Sequence, residues 1–100
     1  MDEKIITLLR GLEILEDFNI EGSKEYILEG VQKEQFEKVL NEFKNLVESL
    51  NSFNVYSNCP SLAAVESNIW AIERNTEVSF STIQSYIDES KLILEGLLNN

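Results

Sequence analysis

Between residues 33 and 53 the chain repeats apolar residues at a helical period. Phe36, Val39, Leu40, Phe43, Leu46, Val47, Leu50 and Phe53 fall on heptad positions a, d and e. The opposite side reads Glu34, Lys38, Asn41, Glu42, Asn45, Ser49 and Ser52, with Glu34–Lys38 and Lys44–Glu48 at i,i+4 spacing. Two heptads are too few for a free-standing coiled coil, so this face requires other helices to cover it. That requirement directs the reading of the rest of the chain.

Residues 3 to 18 supply one such helix, through Ile5, Leu8, Leu9, Leu12 and Leu15, with Asp2 and Glu3 at the end where the helix dipole favours acids. Ile6, Ile14 and Phe18 fall off that stripe and define a second apolar face, suited to self-association. Asn19-Ile20-Glu21-Gly22-Ser23 reads as a stop. A short helix is expected over 24–29, carrying Tyr26, Ile27 and Leu28 until Gly30 breaks it. Pro60 suits a first helical position, with Ser61 or Asn58 as cap, and Leu62, Val65, Ile69 and Ile72 form a third long stripe that fades at Arg74. Val78-Ser79-Phe80-Ser81 alternates like a strand, but it has no partner and reads as a connector. Ser81 with Gln84 has capping-box spacing, and Ile83, Tyr86, Ile87, Leu94 and Leu97 carry a last helix. In that helix Ser90 takes a core-facing slot and Leu92 points away. The expected fold is all-α: residues 1–100 form a single helical domain, an antiparallel four-helix bundle with a short extra helix.

Charge narrows the function. Eighteen Asp and Glu stand against eight Lys and Arg, a net charge of −10. Nucleic acid and anionic membrane surfaces both call for clustered cations, so neither is an expected partner. No run of 18 apolar residues occurs. The acidic start Met1-Asp2-Glu3-Lys4 lacks the basic and apolar regions of a signal peptide, and the lone Cys59 has no cysteine to pair with. A cytoplasmic location is expected.

Catalytic chemistry has little to work with. There is no histidine, which removes the commonest general base and the common zinc sites, and neither standard Gly-rich phosphate loop is present. Cys59 reads as a small packed thiol. Glu13-x-x-Glu16 and Glu34-x-x-Glu37 resemble the paired carboxylates of helical nucleotide pyrophosphohydrolases, but the Glu-x-x-Asp of that family is missing. Glu16 lies close to the Leu8/Leu12 stripe, where a carboxylate must snorkel, pair with a cation or shift its pKa. No cofactor, metal site or enzymatic role is expected.

A basic protein partner suits the charge, since opposite fields steer encounter. Glu13, Glu16, Asp17, Glu21, Glu25 and Glu29 are relieved only by Lys24, the densest acidic stretch in the chain. Trp70 lies off the core direction of its helix, with Arg74 one turn on and able to stack over the indole. The expected partner-binding set is therefore Glu13, Asp17, Glu21, Glu25, Glu29, Tyr26, Trp70 and Arg74. In size and charge the chain is similar to some bacterial immunity proteins and phage-encoded inhibitors. The leading expectation is a stoichiometric inhibitor that occludes a basic surface. The alternative is a homo-oligomeric adaptor or structural protein, a dimer built on Ile6, Ile14 and Phe18.

Overall fold

The computed structural model describes residues 2–51 and 60–99, and within them the chain is helical with no strand. Four helices run in order: α1 (Asp2–Glu16), α2 (Gly30–Asn51), α3 (Pro60–Arg74) and α4 (Phe80–Leu98). Each packs against its neighbours in sequence, and α4 closes the ring against α1. Across one diagonal α2 meets α4 through core side chains, where the Phe36 and Phe80 rings lie 6.2 Å apart, edge to face.

Directions follow from the pairings. Along α1 and α2, Gly11 faces Phe43 and Phe18 faces Phe36, so one residue number rises as the other falls. Lys33 reaches Glu77 just beyond α3, and Lys44 reaches Glu73 within it, which gives α2 and α3 the same antiparallel sense. The fold is an antiparallel four-helix bundle.

The stripes enclose the core. Ile5, Leu8, Leu12 and Leu15 of α1, Phe36, Leu40, Phe43, Val47 and Leu50 of α2, and Leu62, Val65, Ile69 and Ile72 of α3 are buried. From α4 come Phe80, Ile83, Ile87 and Leu94. Ser90 is buried as expected and takes a hydrogen bond of 3.1 Å from Asn68 across the α3–α4 contact. Leu92 is exposed.

Leu46 departs from expectation, being 46% exposed. It sits on the α1 side of the stripe, in an open cleft that it lines together with Lys4 and Thr7. One turn away the two helices come much closer. A Cβ on Gly11 would lie 2.7 Å from Cδ2 of Phe43, so the missing side chain is what admits the ring. Phe53, Asn58 and Cys59 lie outside the described residues.

The expected helix over 24–29 is absent. Residues 24 and 25 turn and 26–29 form no regular element, with Leu28 buried, Tyr26 half-buried, and Ile27 and Glu29 exposed. The pattern is a period of two, which an apolar triplet at Tyr26-Ile27-Leu28 does not distinguish from a helical turn. The carbonyls that would close a helix there are used elsewhere. Tyr26 O accepts from Phe80 N at 2.6 Å and Lys24 O from Ser81 N at 2.9 Å. Gly30 then opens α2 at φ +57, a conformation a preceding helix cannot run through.

Those same two bonds revise the start of α4. The helix begins at Phe80, one residue before the expected cap. The N-cap is Ser79, whose side chain makes no capping bond and contacts Ser81 Oγ at 2.9 Å. Gln84 is bonded to Asp88, not to the helix start. Backbone carbonyls from residues 24 and 26 thus satisfy the first amides that a capping box would otherwise serve.

Candidate functional site

The acidic stretch is carried by the last turns of α1 and the segment 17–29. Glu13, Asp17, Glu21, Glu25 and Glu29 are all exposed. Asp17, Glu21, Glu25 and Glu29 enter no ion pair among the described residues. The α1 C-terminus adds the negative end of the helix dipole, and its last turn holds no basic residue. Acids at that end work against helix stability, so their concentration there is not a folding device.

Glu16 leaves this surface. It turns toward α4 and pairs with Lys91, the pairing option for a carboxylate beside an apolar stripe. The Glu16 carboxylate holds the Lys91 ammonium above the usual lysine range, with smaller contributions from Glu13 and Asp88. Lys33 is raised likewise by its 2.9 Å contact with Glu77, and Glu77 is lowered in return. Lys33, Lys44 and Lys91 are thus committed to internal pairs, with Lys44 held 3.4 Å from Glu73.

Trp70 is 45% exposed and belongs to a different surface. The cation over its ring is Lys44 of α2, Nζ 5.6 Å from the centroid, in place of the expected Arg74. Lys44 comes from across the α2–α3 seam and is anchored there by Glu73, next to the indole. Lys44, Trp70, Glu73 and Arg74 line an open depression of about 470 Å³. A second cleft of about 260 Å³ continues from it along the seam, sharing Lys44 and Glu73 and reaching Glu37, Leu40, Asn41 and Thr76.

The structure therefore divides the expected partner-binding set. Glu13 and Asp17 are on α1 and its exit, while Trp70 and Arg74 are on α3, diagonally across the bundle. Tyr26 faces inward, its ring 6.4 Å from that of Phe80. The second apolar face of α1 divides as well. Phe18 packs edge to face on Phe36 at 5.5 Å. Ile6 and Ile14 stay 39% and 51% exposed, and eight residues of helix set them about 80° apart.

No family model, curated protein or solved structure matches the chain. The site must be read from its own chemistry. Among the described residues no group of three or more His, Cys, Asp or Glu is placed to hold a metal ion. No helix among them is long and apolar enough to cross a membrane.

Sequence reading missed Lys44 and Glu73 as neighbours of Trp70, since nothing local joins α2 to α3. Asn68 was also missed as the partner of Ser90. A signal existed there: Leu62, Val65, Asn68, Ile69 and Ile72 share one helical stripe, which makes the polar residue the exception to explain.

Proposed function

We propose that the chain is a stoichiometric protein-binding module of the inhibitor or immunity type, acting in the cytoplasm by covering a basic surface of another protein. The observation that supports this reading is the run of exposed carboxylates from Glu13 to Glu29, largely free of internal cations and set against the negative end of α1. Lys and Arg of a partner would supply the missing counter-charge. Occlusion is the whole of the mechanism, and the reading gives the chain no catalytic role. The acids of 17–29 sit on a segment fastened to α4 by two backbone bonds, so they are presented with little ordering left to do. Tyr26 contributes by packing that segment down on Phe80.

The test is capture from the native host with the immobilised protein, beside a triple reversal of Glu21, Glu25 and Glu29 to Lys. The native chain is expected to retain a basic protein that the reversal does not retain. Equal capture by both, or capture only of acidic proteins, contradicts the reading.

A further inference from the structure

The α2–α3 depression lies apart from the acidic surface, and its chemistry differs. A strongly acidic chain has here a half-exposed indole with two cations, Lys44 and Arg74, and one shared carboxylate, Glu73. The depression is open, so it suits a protein surface better than an enclosed small ligand. Exposed Trp and Arg together are the residue types that dominate interface energetics.

We propose that this patch is self-complementary and pairs two copies of the chain about a twofold axis. In such an interface the same residues meet with roles exchanged, so each attractive contact occurs twice. Glu73 and Arg74 are adjacent, exposed and opposite in charge. Arg74 has no ion-pair partner among the described residues. Glu73 is held by Lys44 at a long 3.4 Å, its side chain 55% exposed, with acceptor capacity left over. Arg74 of one copy completes Glu73 of the other, and the reverse. Trp70 lies beside both and supplies the apolar centre, with the Lys44 ammonium over its ring. A second copy brings the carboxylate that Arg74 lacks, and a twofold arrangement supplies that contact to both chains at once. This proposal places self-association on α3, a different surface from the Ile6, Ile14 and Phe18 face expected of α1.

Sedimentation across a concentration series tests this, with circular dichroism showing that each variant is folded. The native chain should go from monomer to dimer with a blue shift of Trp70 emission, and Trp70→Ala should weaken association by about tenfold or more. Arg74→Glu and Glu73→Arg should each be monomeric alone, because each places like charges opposite one another. Mixed in equal amounts they should form a heterodimer, since both contacts are then Glu against Arg. A native chain that is monomeric at every concentration overturns the proposal, as does a mixture that stays monomeric. Burial of Trp70 only on adding another protein assigns the patch to that protein and overturns it equally.

Discussion

The two flanks of α2 are built differently. Toward α1 the contact closes by shape: Phe43 lies where a Gly11 side chain would be, and Phe36 takes the edge of Phe18. Toward α3 it closes by charge: Lys33 and Lys44 reach over to Glu77 and Glu73, leaving clefts below and Trp70 in view. Interdigitated apolar contacts resist change, because a packed core has no slack. Long paired side chains at a surface can be re-paired at small cost, because water replaces most of what they lose. The first flank is tight where Gly11 meets Phe43 and opens only at Leu46; the second leaves charged side chains and Trp70 at the surface.

Substitutions should separate the flanks by size of effect. Phe43→Ala should cost about 3–5 kcal/mol, since a buried ring is lost and Gly11 cannot fill the space. Denaturant titration measures it, and a loss below about 1 kcal/mol would remove Phe43 from the core.

Two smaller changes probe how the seams close. Gly11→Ala gains about 1 kcal/mol of helix propensity, yet overpacking against Phe43 should outweigh that gain at about 1–3 kcal/mol. A stabilised Gly11→Ala variant would show that α1 and α2 are not in tight contact. Ser90→Ala removes the acceptor of a buried Asn68 amide and should cost about 1–3 kcal/mol, more than an exposed Ser→Ala such as Ser85→Ala.

Weaker still is the α1–α4 ion pair. Because Lys91 is raised in the folded protein, its contribution is fully present below the ordinary lysine pKa of about 10.4 and is lost as pH rises through the raised folded value. Lys91→Met should therefore flatten the alkaline limb of a stability–pH profile, and superimposable limbs would contradict the pairing. Smallest of all, Glu73→Gln on the charged flank should change stability by less than about 1 kcal/mol in the same titration.

How much of this was legible in the sequence follows the same division. The stripes of α1, α2 and α3 name nearly every core residue they contribute, because burial imposes a period that the chain displays directly. Ser90 inside, Leu92 outside and Glu16 in need of a partner were legible for that reason. The segment 24–29 was not. Its shape is decided by the amides of α4, more than fifty residues later, which take its carbonyls. Leu46 fits the heptad and is nonetheless exposed, since the period cannot tell that Thr7 and Lys4 face it. At the surfaces, the acidic stretch reads from composition alone. The company Trp70 keeps depends on the α2–α3 register, which no local pattern in the chain carries.

The most direct test of the proposed function is the association rate of the captured basic partner, measured by stopped flow against ionic strength. For the native chain the rate should fall steeply as salt screens the field of Glu13 to Glu29 over about 10 Å. For the Glu21, Glu25 and Glu29 reversal it should be slower at low salt and nearly flat, while the melting temperature hardly moves. Identical rates and salt slopes for the two chains would contradict the account, since the acidic surface would then have no part in recognition.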